Sequence, residues 1–290
     1  MTDSSTVDAV FVLVHGAWHS SAQWAAAQRA LTARGAASVA VDLPGHGFDA
    51  PLPSGYAEPG QPGLDTEKSA LAGMTMDEAA AAIVAVLRGA RRHSQVVLVS
   101  HSAGGGPASL AAELAPELVD LQVYLSAFVP AGRPRFADYI TAPENADALG
   151  ASLYIGDSEA LGAMRINPLS TDPDYVEELR RTHYSDTPAA AFTRWRHALS
   201  PDLPIAIPTT AVTVTADRWG AVPRAFVRCA SDRALAPATQ DLMIAEADAA
   251  MPEHPFAVST LPGGHTPFAA RPDDLAAALM SVLRRPRAAE

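Results

Sequence analysis

The segment Gln95-Val96-Val97-Leu98-Val99-Ser100-His101-Ser102-Ala103-Gly104-Gly105-Gly106 constrains this chain more than any other. Its apolar run reads as a buried strand, and the small-residue run after it reads as the start of a helix. Only a very tight turn fits between them, with Ser102 at the apex. Backbone at such an apex is strained, so the residues two positions either side have to be small. Ser100 and Gly104 meet that demand. The turn presents the hydroxyl, and the following helix aims its first N–H groups at any anion formed beside it. The segment therefore predicts a nucleophile together with part of its electrostatic support.

The rest of the chain repeats the strand–helix rhythm. Apolar runs over 9–14, 38–43, 121–126, 223–229 and 256–261 alternate with helical stretches over 21–34, about 75–88, 238–248 and 272–283. Thr75 and Glu78 have capping-box spacing and mark where the second of these helices begins. The pattern predicts an α/β fold: a mostly parallel central sheet with helices on both faces. The rhythm fails over 131–215, where proline-broken helical pieces and polar turns predict an inserted helical cap. Residues 1–130 and 216–290 then form one core domain. A Pro- and Gly-rich stretch over 44–73 is longer than most connections, which makes it either mobile or part of the site rim.

Composition excludes several function classes. A 290-residue chain that is 48% hydrophobic can bury a sizeable core. Its formal net charge of −11 and lack of a basic stripe argue against nucleic acid or an anionic membrane as partner. The pairs Arg91-Arg92 and Arg284-Arg285 read as solvated. The N-terminus, Met1-Thr2-Asp3-Ser4-Ser5, has no signal-peptide pattern, and no apolar run reaches about 20 residues, so a soluble, cytoplasmic protein is expected. The single cysteine, Cys229, allows neither an intramolecular disulfide nor a cysteine metal site, and reads as a buried thiol. The histidines lack metal-ligand spacing, and Gly104-Gly105-Gly106 lacks the Lys-Ser/Thr of a phosphate loop, so no metal is expected.

A serine hydroxyl needs a base, and the base needs a carboxylate to fix its tautomer. In sheet enzymes of this kind the chain order is Ser, Asp or Glu, then His. Asp232 follows the run ending at Cys229, and His265 follows the run ending at Leu261. Both fall on loops at strand C-terminal ends, the edge where parallel sheets bind ligands. Asp217 is the rival carboxylate, but it precedes its strand, and a salt bridge at the cap edge explains it better. The N–H of Ala17, in the loop after the first strand, and the N–H of Ala103 are the candidate oxyanion donors. Of the other histidines, His15, His19, His46 and His101 read as packing residues near the site. His93, His183, His197 and His254 read as surface or cap residues. Trp18, Phe128 and Tyr154 are the side chains expected to meet substrate.

At these residues the chain resembles the α/β-hydrolase superfamily, and within it the branch of methylesterases and hydroxynitrile lyases. The matching segments are Phe11 to His19, Asp42-Leu43-Pro44-Gly45-His46-Gly47, Val99 to Gly105, Tyr124 to Pro130, Ser231-Asp232-Arg233 with Pro237 and Gln240, and Gly263-Gly264-His265. They span nearly the whole chain but not the cap or the 44–73 loop. The resemblance implies Ser102, Asp232 and His265 as a catalytic triad, with Ala17 and Ala103 as oxyanion donors. Two departures stand out. Ser100 replaces the family's usual glycine, a change small enough for the turn to survive. Lyases of this branch carry threonine at the position of Gly16 and lysine at the position of Thr266; without that cation, hydrolysis is favoured over cyanide chemistry. The expected activity is that of a serine esterase, with no cofactor, cleaving a small, largely apolar ester or lactone. The same triad also serves acyl transfer, cyclisation or C–C cleavage, and a hydrolase-fold receptor would share it. A homodimer is the base-rate expectation.

Overall fold

The computed structural model describes residues 8–283, so the Met1–Ser5 and Arg284-Arg285 readings lie outside the described residues. Among the described residues eight strands form: β1 (Ala9–Val14), β2 (Ala37–Val41), β3 (Gln95–His101), β4 (Leu121–Leu125), β5 (Ala163–Arg165), β6 (Asp202–Pro204), β7 (Arg224–Cys229) and β8 (Ala257–Leu261). Six of them make one sheet in the order β2-β1-β3-β4-β7-β8, every neighbouring pair parallel.

Strand alternation explains why this sheet is covered on both faces. Val10, Val12 and Val14 of β1 and Val96 and Leu98 of β3 point to one face, where they meet Ile83 and Leu87 of helix Met76–Ala90 and Ala108 and Ala111 of helix Gly105–Leu114. Phe11, Leu13, Val97 and Val99 point to the other, against Trp24, Leu31, Leu275 and Leu279. Strands apolar on both faces belong in the middle of a sandwich.

Thr75 begins its helix as its spacing predicted. Its hydroxyl accepts the Glu78 N–H, and the Glu78 carboxylate accepts the Thr75 N–H. The helix expected over 21–34 instead divides into a 3₁₀ turn, Ser21–Trp24, and an α-helix, Ala25–Thr32. The Asp42 carboxylate takes both the N–H and the hydroxyl of Ser21, and Ser20 and Gln23 close a capping box over the tight first turn. Among the described residues, no helix is long and apolar enough to cross a membrane.

The segment between β4 and β7 is not purely helical. It carries β5 and β6 as a two-stranded antiparallel sheet beside short helices such as Pro173–His183 and Ala189–His197. Arg165 and Asp202 face each other across this pair and form a buried bidentate ion pair at 2.6 and 2.8 Å. The remaining donors of Arg165 reach the carbonyls of Leu64 and Glu67, so the same side chain fastens the 44–73 loop to the cap. The Ser69 N–H adds a bond to the Leu161 carbonyl. The loop braces the cap from behind, and none of its residues lines the cavity described below. Replacing Arg165 with methionine leaves buried Asp202 without its ion-pair partner. It is expected to cost about 3–5 kcal/mol, read as a lower urea midpoint. An unshifted midpoint would refute this account of how the loop is held.

Candidate active site

Parallel strands put all their C-terminal ends on one edge, and the sheet order brings four of those ends together. The loop after β1 carries Ala17, the turn after β3 carries Ser102, the loop after β7 carries Asp232, and the loop after β8 carries His265.

Ser102 has φ +52°, left-handed backbone that only a constrained turn imposes on a serine. Two close approaches enforce it. A Cβ on Gly104 would strike the His15 carbonyl oxygen, and one on Gly16 would lie 2.7 Å from the Ser102 Cβ. The Phe128 N–H, 3.0 Å from the Ser102 carbonyl, ties down the far side. Ser100 fits beneath the turn fully buried. Its hydroxyl finds no protein partner among the described residues, so it adds no hydrogen bond to the elbow.

His265 links the two other groups. Its Nε2 lies 3.0 Å from the Ser102 Oγ and its Nδ1 lies 2.6 Å from the Asp232 Oδ2. Asp232 is an acceptor on every side: Oδ1 receives the N–H groups of Ala234 and Leu235 at 2.8 and 2.9 Å, and Oδ2 also receives the Ser126 hydroxyl at 2.5 Å. Three donors besides His265 hold the carboxylate in place, so the Nδ1 proton of His265 points at it. Nε2 is then left bare to accept from Ser102. Ser126, itself at φ +38° just past β4, escaped the sequence reading, because a serine at a strand end has no local signature. Asp217 is exposed on its turn and takes no part. The ion contact at that corner belongs to its neighbour Arg218, 4.0 Å from Glu113.

The buried histidines hold backbone in place. The His15 Nδ1–H donates to the Gly16 carbonyl, while its Nε2 accepts the Leu43 N–H. His19 donates from Nδ1 to the Ala17 carbonyl and accepts the Tyr184 hydroxyl at Nε2. His101 donates from Nε2 to the carbonyl of His265 at 2.9 Å. Burial pushes His15 and His101 well below the usual imidazole range and His19 down to about 4. All three are therefore neutral near pH 7, and their tautomers fix the carbonyls around Ala17 and behind His265. Ala17 lines the cavity beside Ser102. Ala103 stands in the 3₁₀ turn Ser102–Gly104, where N–H groups have no acceptor within the helix.

Above these groups lies a cavity of about 270 Å³ with mostly apolar walls. Trp18 and Tyr154 line it, as the sequence suggested, and the Trp18 indole N–H is anchored on the Met164 carbonyl. Phe128 does not line it. Its ring is fully buried one layer back, against Phe136 and Tyr139, because the tight packing of its backbone on the Ser102 turn draws it inward. His183, read from sequence only as a surface or cap residue, does line the cavity, with its ring 5.7 Å from that of His265. The cap also grips the His265 loop. Thr266 donates to the His183 carbonyl, and the Gly264 N–H donates to Asp186. Among the described residues, no three His, Cys, Asp or Glu side chains are grouped as a metal site requires.

Comparison with known proteins agrees with this geometry. A model of the alpha/beta hydrolase family matches residues 11–278. Putative methylesterase 12, chloroplastic, of Arabidopsis thaliana is 25% identical over 280 residues, covering 95% of this chain and 72% of that protein. An alpha-hydroxynitrile lyase of the same plant is 31% identical over 120 residues, covering 41% of this chain and 40% of that protein. Among solved structures, a pyrethroid hydrolase from Sphingobium faniae superimposes with a TM-score of 0.71 at 22% identity, covering 96% of this chain and 98% of that one, a likeness of fold. A sheet edge that gathers Ser102, Asp232 and His265 and a family match across nearly the whole chain lead to one conclusion: this protein belongs to the α/β-hydrolase family, in the branch of the methylesterases and hydroxynitrile lyases.

Proposed function

We propose that this chain is a carboxylic ester hydrolase that works through an acyl-enzyme on Ser102. The observation that carries the reading is the hydrogen-bonded relay Ser102–His265–Asp232 opening into a mostly apolar cavity. His265 Nε2 takes the hydroxyl proton as Oγ attacks the ester carbonyl, and Asp232 stabilises the imidazolium. The N–H groups of Ala17 and Ala103 receive the oxyanion; one such donor is worth on the order of 3 kcal/mol in the transition state. The imidazolium gives its proton to the departing alkoxide. Water, deprotonated by the same His265, then releases the acid and restores Ser102.

Two facts support a small, largely apolar substrate. The cavity of about 270 Å³ falls just below the usual span of ligand pockets, roughly 300–1,000 Å³. The relatives named methylesterases point to a short alcohol part. Thr266, where a lyase of this branch would carry lysine, spends its hydroxyl on the cap and itself brings no cation to His265. The test is turnover of p-nitrophenyl acetate and butyrate together with fluorophosphonate labelling. Stoichiometric label on Ser102 and catalytic release of p-nitrophenol are expected; a chain that takes no label and cleaves neither ester is not a serine esterase.

A further inference from the structure

The cap contributes Asn145, Tyr154, Thr182 and His183 to the cavity wall, and they differ in burial and in what is left to pair. Asn145 accepts from Ala236 and Thr239 and donates to Ile140. The Thr182 hydroxyl donates to the Glu178 carbonyl. Tyr154 stands 38% exposed. His183 is different. It is 8% exposed, it lines the cavity, and among the described residues neither of its ring nitrogens has a protein hydrogen-bond partner.

Position and tautomer decide what such a ring offers. His183 closes the cap helix Pro173–His183, and its backbone is pinned by the Thr266 hydroxyl at 2.7 Å. Its ring lies between Trp18, at 5.5 Å, and His265, at 5.7 Å. Nδ1 is sealed off with no acceptor nearby. A proton there would be a buried, unpaired donor, which costs more than a bare lone pair. The proton therefore belongs on Nε2, the nitrogen left to face the cavity. Burial, reinforced by His265 and His19, holds the ring well below the usual imidazole range, so it is neutral and does not compete with His265 for the Ser102 proton.

We infer that His183 is a specificity-determining residue: its Nε2–H donates to an acceptor oxygen that the substrate carries a few bonds from the scissile carbonyl. This deepens the hydrolase reading and rests on it for the word scissile. The preferred class is then an otherwise apolar ester bearing one ketone, ether or hydroxyl oxygen. A plain alkyl ester would leave the Nε2–H buried without a partner, and sites built to pair a polar group discriminate against ligands that lack it.

Binding tests this without turnover. The Ser102→Ala protein is titrated with methyl hexanoate and with its 3-oxo, 4-oxo and 5-oxo analogues, whose ketones accept hydrogen bonds and cannot donate. At least one oxo ester should bind about tenfold tighter than methyl hexanoate, the worth of one well-placed hydrogen bond. Adding His183→Leu should bring the ratio to within about twofold, and His183→Gln, which keeps a donor, should retain most of it. Equal binding of all four esters overturns the inference, as does a preference that survives His183→Leu. The unsubstituted ring supplies a check that needs no variant: the preferred oxo ester should move the His183 Nε2 nitrogen resonance, and an unmoved resonance also overturns it. Hydrolysis is scored apart, on the intact protein with p-nitrophenyl acetate. A chain that selects the oxo ester yet cleaves nothing loses the esterase reading and keeps His183 in this role.

Discussion

Replacing Ser102 with alanine should lower kcat on p-nitrophenyl butyrate by about 10⁴- to 10⁶-fold, roughly 5–8 kcal/mol of transition-state stabilisation. The size follows from what is lost and what stays. The nucleophile disappears, so the acyl-enzyme route closes. The oxyanion donors and the cavity remain, so a small residual rate above water is expected. The fold should survive. Ser102 is 7% exposed, its hydroxyl bonds only His265, and alanine meets the same backbone demand at φ +52°. Melting within a few degrees of the parent and loss of fluorophosphonate label would complete the expected result. A folded variant keeping more than a tenth of the parent kcat would end the proposed mechanism.

The legible part of this site was local. At Ser102 the apolar strand, the small turn residues and the helix start all stand within a dozen positions of one another, and they agree. Asp232 and His265 were legible for a related reason, since each follows an apolar run that ends cleanly and parallel strands share an edge. What stayed hidden depends on partners far away in sequence. Ser126 supports Asp232 from another loop, and nothing in Leu125-Ser126-Ala127 announces it. β5 and β6 are three residues each, too short for a period of two to show, and the ion pair that unites them spans 37 positions. The 3₁₀ turn at Ser21–Trp24 owes its tightness to Asp42, which helical periodicity does not encode. His183 stands in the cap beside Arg180 and Arg181, so from sequence it reads as a surface or cap residue rather than a cavity wall. Phe128 shows the opposite error. An aromatic just after a site strand suggested substrate contact, and only packing reveals that it lies a layer behind.

The second large effect is on stability, and it comes from the same histidines. Between pH 7 and pH 5 the folded protein should lose several kcal/mol, a large share of the roughly 5–15 kcal/mol typical of whole domains. The sign is fixed by where protons go. His15, His101 and His183 are held well below the usual imidazole range and His19 at about 4, each chiefly by burial. In the unfolded chain these rings titrate near 6.5. Above that pH both states are neutral and the histidines have no effect. As pH falls from about 6.5 towards 4, the unfolded chain binds protons that the folded one refuses, and stability drops, by at most about 2 kcal/mol at pH 5 for a ring that stays neutral there. The hydrogen bonds show why the folded state refuses them. A proton on His15 Nε2 evicts the Leu43 N–H, and one on His19 Nε2 turns away the Tyr184 hydroxyl. A proton on His101 Nδ1 has no acceptor, with Gly16 packed against that atom. His46, whose ring lies 4.9 Å from that of His15, shifts in the same direction. Carboxylates held low by hydrogen bonds, Glu78 in its capping box among them, act only below about pH 4.5 and do not blur the window. Urea midpoints at pH 7.5, 6 and 5 measure the effect. His101→Met should flatten the slope below pH 6 by about one proton, or 1.4 kcal/mol per pH unit. A midpoint that holds steady from pH 7.5 to pH 5 would mean these rings accept protons where they sit, and the neutral scaffold behind Ala17 and His265 would have to be abandoned.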